Sequence, residues 1–192
     1  MEQTGANTNQ YLTFCLGREL FAFEIGSVRE VLEMTKITPV PATPEFMRGV
    51  INLRGHVVPV IDLRKKLGMS EARDTLDTCI IICELLVDDE PASVGLVVDS
   101  VREVAEIADR DIEPAPSLGT HVSANMLQGM ARQDTEFVML LDINTVLTGN
   151  ELQALDRKGH LSGTHDNASG SEIETRSQSS SMNACNQGGF VS

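Results

Sequence analysis

Ser27-Val28-Arg29-Glu30-Val31 recurs 73 residues later as Ser100-Val101-Arg102-Glu103-Val104. The flanks agree in apolar phase: Phe21, Phe23 and Ile25 correspond to Val94, Leu96 and Val98. Glu33 corresponds to Glu106, and Pro41 to Pro114. At an offset of 80, Gly49 meets Gly129, Val60-Ile61-Asp62-Leu63 meets Leu140-Leu141-Asp142-Ile143, and Leu67 meets Leu147. A five-residue identity with the same order of elements around it indicates duplication. Each copy, at about 70 residues, is too small to build a generous core alone, so the two should pack on each other. Small, strongly twisted sheets remove their exposed edges by closing. The repeat therefore predicts two five-stranded β-barrel subdomains, related by pseudo-duplication and sharing a hydrophobic interface.

Local patterning agrees. Leu12, Phe14 and Leu16 alternate with polar residues, as do Phe21, Phe23 and Ile25 after a Gly17-Arg18-Glu19 turn, which is hairpin patterning. Val50–Leu53, an Arg54-Gly55-His56 turn and Val57–Leu63 predict a second hairpin, with Pro59 demoting its strand to an edge or a bulge. Thr78–Val87 and Ser93–Val98 predict a third, and Glu136–Asp142 a further strand. Helices are expected to be short. Thr43-Pro44 reads as a cap and first helical position, stopped by Gly49. Leu63–Leu67 ends at Gly68, Asn144–Leu147 is a weak turn, and Glu151–Leu155 closes the domain. Ser27…Glu30 and Ser100…Glu103 have the spacing of capping boxes. The class is mainly β with short helices.

The 192 residues carry 28 acids and 15 bases, a net charge of -13. The stretch 157–192 is rich in Ser, Gly, Asn and Thr and too poor in apolar residues to offset its ordering entropy, so a disordered polar tail is expected there. Glu2 and three acids and three bases of that tail lie outside 11–156, which leaves 24 acids and 12 bases on the expected domain. The expected organisation is a flexible 1–10, a domain over 11–156 made of two intertwined subdomains at roughly 11–75 and 76–156, and the tail. An acidic domain does not replace the counterions of a nucleic acid, so no nucleic-acid partner is expected. No segment reaches the length of a membrane span, and 1–10 lacks the basic start and apolar core of a secretory signal. A cytoplasmic protein with no direct membrane insertion is expected.

No nucleophile elbow, phosphate loop or zinc spacing is present, so no catalytic residue, cofactor or metal is expected. Cys79 and Cys83 share one face of a strand and read as buried, inert thiols. His56 with Asp62 or Asp142 is the one arrangement that a small-ligand protein or enzyme could use as a general base. Helix capping accounts for both aspartates instead, since each precedes a short helix. Arg54 stands out. An Arg beside Gly55 at a strand end, in an acidic domain, suits an interface anchor.

The run Gly49-Val50-Ile51-Asn52-Leu53-Arg54-Gly55, followed by Val57-Val58-Pro59-Val60-Ile61-Asp62-Leu63-Arg64, resembles the CheW family of chemotaxis coupling proteins. Phe21–Val31, Gly95–Val101 and Pro114-Ala115-Pro116 extend the resemblance over Tyr11 to about Leu155, and the tail falls outside it. The resemblance implies that the barrels are SH3-like. It implies a non-catalytic adaptor that joins the cytoplasmic tip of methyl-accepting chemoreceptors to the regulatory domain of the histidine kinase CheA, with further adaptor copies extending the array. Recruitment to membrane-bound receptors would be indirect. Carried over by position, the interaction surface comprises Val28, Glu30, Val31, Gly49, Asn52, Leu53, Arg54 and Gly55. Glu30 and Arg54 are expected to form a charge pair that orients the Arg. The resemblance leaves open a coupling role in a cluster serving twitching motility or second-messenger control.

Overall fold

A computed structural model describes residues 7–87, 90–115, 126–133, 135–147 and 151. The expected tail and, beyond Glu151, the expected closing element Glu151–Leu155 lie outside these residues. The described chain is mainly β. Its strands are β1 (Thr8–Leu16), β2 (Glu19–Glu24), β3 (Val28–Glu33), β4 (Met47–Leu53), β5 (His56–Asp62), β6 (Cys79–Val87), β7 (Glu90–Val98), β8 (Ser100–Ala108), β9 (Ile112–Glu113), β10 (Leu127–Gln133) and β11 (Glu136–Leu141). Two one-turn helices follow β5 and β11: α1 (Leu63–Lys66) and α2 (Ile143–Val146).

The strands form a six-stranded sheet, ordered β8-β1-β2-β11-β10-β9, and a five-stranded sheet, ordered β3-β6-β7-β5-β4. These are one arrangement made twice. Under the repeat, β2, β3, β4, β5 and α1 correspond to β7, β8, β10, β11 and α2. The parallel pair β5·β7 answers to the parallel pair β11·β2. The Thr38–Val50 bridge answers to the pairing of β9 with β10. Bulges fall at the same place, between Met47 and Gly49 and between Leu127 and Gly129.

In each sheet the long hairpin comes from the other copy. The β1–β2 hairpin joins β8 to β11, and the β6–β7 hairpin joins β3, β5 and β4. Stretches 11–75 and 76–156 therefore each supply strands to both sheets, and neither makes a sheet alone. Connection length is the physical reason. Only Asp99 separates β7 from β8, and a one-residue link cannot make the two-residue turn of a hairpin, so β8 crosses to the other sheet. Between β2 and β3 the same crossing is made through a single 3-10 turn, Ile25–Ser27.

Three apolar clusters follow from this exchange. The largest lies between the sheets and draws equivalent residues from both copies: Phe21, Phe23 and Leu63 with Val94, Leu96 and Ile143. Phe14 stacks on Phe21 and Phe23 at its centre, with centroids 6.0 and 5.1 Å apart. Each sheet also curls around a cluster of its own. Leu32 of β3 and Leu53 of β4 lie on opposite edges of the five-stranded sheet, yet both pack against Ile51, Val58, Val60, Ile80 and Ile82. Ala105 and Ile107 of β8 and Ile112 of β9 do the same around Tyr11, Ala131, Val138 and Leu140. Where β1 and β8 shift register between Leu12 and Phe14, the buried Thr13 hydroxyl replaces the interrupted ladder. It donates to the Glu103 carbonyl at 2.8 Å and accepts the Glu103 N–H at 3.2 Å.

Several local expectations change. The Thr43–Gly49 stretch is no helix. Met47 N–H donates to the Pro44 carbonyl in a turn, and β4 begins at Met47, so Gly49 serves a bulge and not a helix stop. The capping boxes do not form: Ser27 Oγ donates to the Glu24 carbonyl, and Ser100 starts β8. Asp62 and Asp142 do cap helices, accepting the N–H groups of Lys65 and Asn144 at 3.1 and 2.9 Å.

Candidate protein-interaction site

The β4–β5 hairpin turns through two residues, Arg54 and Gly55, with φ of +52° and +91°. Paired positive φ matches the right-handed twist of the flanking strands, which is why tight hairpins use it. Gly adopts it freely, whereas Arg does so at a cost of roughly 1 to 2 kcal/mol. Asn52 at the end of β4 accepts the Gly55 N–H on Oδ1 at 2.8 Å and closes the turn.

The turn projects Arg54 beyond the sheet, with its side chain 76% exposed. Nη2 donates to Glu30 Oε2 at 2.8 Å. Glu30 belongs to β3, the opposite edge strand of this sheet, and is 21% exposed. The ion pair thus spans two edges that are far apart in strand order and meet because the sheet curls. At this exposure its contribution to stability is small, about 0–1 kcal/mol, so stability does not explain why Arg54 occupies a left-handed position.

The expected surface is therefore assembled in part. Glu30 and Arg54 meet, Asn52 and Gly55 meet, and Val31 is exposed on the outer face of β3. Val28 and Leu53 are half-buried and pack on the apolar clusters. Gly49 is buried beneath the Thr38 backbone. His56 is exposed at the start of β5 and Asp62 lies at its end, about 20 Å away at 3.3 Å per residue. No shared pocket brings the two together. Among the described residues no group of three or more His, Cys, Asp or Glu could hold a metal ion. No helix of the described residues is long and apolar enough to cross a membrane.

Burial pushes the Cys83 thiol up to about 12 and raises that of Cys79. Both thiols are expected to resist alkylation in the native protein and to react on unfolding. Peptide mapping after a brief pulse of iodoacetamide checks this, and rapid native labelling at Cys83 would contradict it.

One surface went unread in the sequence. Leu20, Met130, Phe137 and Met139 line a shallow depression bordered by Arg18, Glu19 and Glu136. Phe137 is 60% exposed. The repeat held a signal: Phe137 corresponds to Val57 and Val104 to Val31, and all four are exposed apolar residues. Paired exposure at equivalent positions distinguishes these residues from singly scattered apolar ones.

Two curled sheets sharing one core, with a solvent-facing ion pair on a stiff hairpin, define a β-sheet interaction module. The family model described as "CheW-like domain" matches residues 10–151. The chain belongs to the CheW family. "Chemotaxis protein CheW" of Rhizobium meliloti is 33% identical over 72% of this chain and 92% of the relative. "Protein FrzA" of Myxococcus xanthus is 34% identical over 73% and 91%. The crystal structure of the scaffolding protein TtCheW from Thermoanaerobacter tengcongensis superposes with a TM-score of 0.68 at 33% identity, covering 79% of this chain and 95% of the other.

Proposed function

We propose that this protein is a non-catalytic adaptor that couples the cytoplasmic tips of methyl-accepting chemoreceptors to the regulatory domain of the histidine kinase CheA in cytoplasmic arrays. The observation that carries the reading is the Arg54–Glu30 pair: an exposed guanidinium, oriented by a carboxylate, on a left-handed turn that stability alone would give to Gly. Membership of the CheW family gives that pair its context. Val31, Asn52 and Gly55 share the exposed turn-and-edge surface, while Val28, Gly49 and Leu53 shape it from beneath.

Coupling of this kind needs no tight single interface. Partners held at high effective concentration in an array gain avidity from several modest contacts. A receptor signal reaches the kinase when the adaptor contacts its active and inactive states differently.

Arg54→Ala tests the reading. The melt monitored by circular dichroism should stay close to wild type, because an exposed ion pair adds little. Assembly with purified receptor and kinase fragments should weaken by about 1–3 kcal/mol, roughly fivefold to 150-fold. Undiminished receptor-coupled kinase activity at full replacement would remove Arg54 as an anchor. Arg54→Gly sharpens the contrast, since Gly suits the turn and should melt no lower than wild type while losing the same binding.

A further inference from the structure

We propose that Asn52 is a positioning residue: its carboxamide holds the left-handed Arg54–Gly55 turn and thereby keeps the Arg54 guanidinium on Glu30. The inference deepens the adaptor reading, and rests on it, by assigning one residue of the surface to pre-organisation instead of contact.

Three observations converge. Asn52 Oδ1 accepts the Gly55 N–H across the turn at 2.8 Å. This is the local side-chain-to-backbone bond with which Asn and Asp stabilise tight turns. Arg54, the residue enclosed by that bond, has φ of +52° and disfavours this conformation. Its Nη2 reaches Glu30 on the far edge strand at 2.8 Å, a contact that depends on where the turn aims the side chain. If the turn relaxed, the backbone dihedrals of Arg54 and Gly55 would change, the Cα–Cβ direction of Arg54 would swing, and the guanidinium would leave Glu30.

The second repeat supplies an internal comparison. At the offset of 80, Asn52, Arg54 and Gly55 are replaced by Arg132, Asp134 and Thr135. Asn acceptor, left-handed Arg and Gly occur together in one copy and are all missing from the other. Glu103, the counterpart of Glu30, instead accepts from Gln133 Nε2 at 3.3 Å. An Asn kept merely to close a hairpin would be equally useful in both copies.

An Arg held in place before binding loses less side-chain freedom when a partner arrives, so its contact returns more affinity. Removing the Asn52 acceptor should then act through Arg54 and nowhere else. The test uses the full chain carrying Asn52→Ala, Asn52→Asp, Arg54→Ala, or Asn52→Ala with Arg54→Ala. In the free protein, 15N NMR of the Arg54 guanidinium should show distinct, slowly exchanging Nη groups. These should collapse to solvent-averaged signals in Asn52→Ala and persist in Asn52→Asp, which keeps an acceptor. Binding to receptor and kinase fragments should fall about threefold to tenfold in Asn52→Ala, the worth of one net hydrogen bond. In the Arg54→Ala background the same change should cost nothing further. An unchanged guanidinium spectrum in Asn52→Ala, or a binding loss that persists without Arg54, overturns the inference. If Arg54→Ala binds as wild type, the anchor role falls with the adaptor reading at this surface, and the spectra of the free protein still decide the role of Asn52.

Discussion

Gly49→Ala should lower the stability of this protein by about 3–5 kcal/mol, and its midpoint of thermal unfolding by roughly 10–15 °C. Gly49 has φ of +141°, a conformation that residues with a Cβ rarely adopt. A Cβ built there would lie 2.1 Å from the Thr38 carbonyl oxygen and 2.7 Å from its carbon. Those atoms are backbone, pinned by Thr38 N–H to Val50 O at 2.8 Å and Val50 N–H to Thr38 O at 2.9 Å. They cannot move without breaking the bridge that caps the sheet edge. Gly129, its counterpart, offers a graded control. A Cβ there meets the Ile112 Cγ2 methyl at 2.6 Å and the Glu113 carbonyl oxygen at 2.9 Å, at a φ outside the left-handed range. Gly129→Ala should cost less, about 1–3 kcal/mol, because its backbone overlap is shallower than the 2.1 Å one at Gly49 and it needs no positive φ. Thermal melts of the two variants compare them directly, and a larger loss at Gly129 would refute this account of the bulge.

Asp99→Asn should cost about 1–3 kcal/mol near neutral pH and flatten the acid limb of the stability curve. Asp99 is the single residue between β7 and β8, where the chain crosses from one sheet to the other. Its Oδ1 accepts Arg64 Nε at 2.7 Å, and its Oδ2 accepts Arg64 Nη2 and the Gly17 N–H. Arg64 follows β5, and Gly17 joins β1 to β2, so one carboxylate ties elements of both sheets. Arg64 is only 14% exposed and would keep its charge with no carboxylate opposite it. Burial opposes ionisation of Asp99. The Arg64 hydrogen bond, the Gly17 N–H and the Arg64 charge together outweigh it and hold the carboxyl below its ordinary 3.8. Because the folded value is the lower one, the stabilisation is complete above the unfolded value and is lost as pH falls through the folded value. Asp74, held low first by its hydrogen bond from Arg48, adds a contribution of the same sign. Urea titrations from pH 7 down to 3 measure the slope. A wild-type slope retained in Asp99→Asn would assign the acid limb to other carboxylates.

Much of this was legible in the sequence, and what was missed has identifiable causes. Both repeat offsets correspond to superposable strands, and the Asp62 and Asp142 caps follow from their positions before short apolar helices. The turn after Leu53, read one residue too long through His56, and the pairing of Arg54 with Glu30 were legible as well. The Thr43–Gly49 helix was misread because cap, Pro and Gly are also the residues of a turn entering a bulge, and four intervening residues are too few for a periodicity to decide. Strands β3, β8 and β10 were missed as strands. Polar residues on their outer faces alternate with exposed Val31, exposed Val104 or half-buried Met130, which weakens the contrast that marks a half-buried strand. Repeat-equivalent apolar positions hint at Phe137, but the depression around it could not be read, since Leu20 and Met130 meet only after β2 pairs with β11 and β11 with β10.

The sequence by itself determined the duplication, the mainly β class and the acidity of 11–156, because each is a matter of residue order and composition along the chain. Tertiary structure alone decided which hairpin enters which sheet. With two equivalent copies, pairing within a copy and pairing between copies bury the same kinds of side chain and satisfy the same alternation. At Asp99 a one-residue link lets β8 make no hairpin with β7, and at Ile25–Ser27 a 3-10 turn carries β3 to the other sheet. Tertiary structure decided again at the site. Glu30 and Arg54 stand on opposite edge strands, and only the curl of the sheet around its own apolar cluster brings the carboxylate within 2.8 Å of the guanidinium.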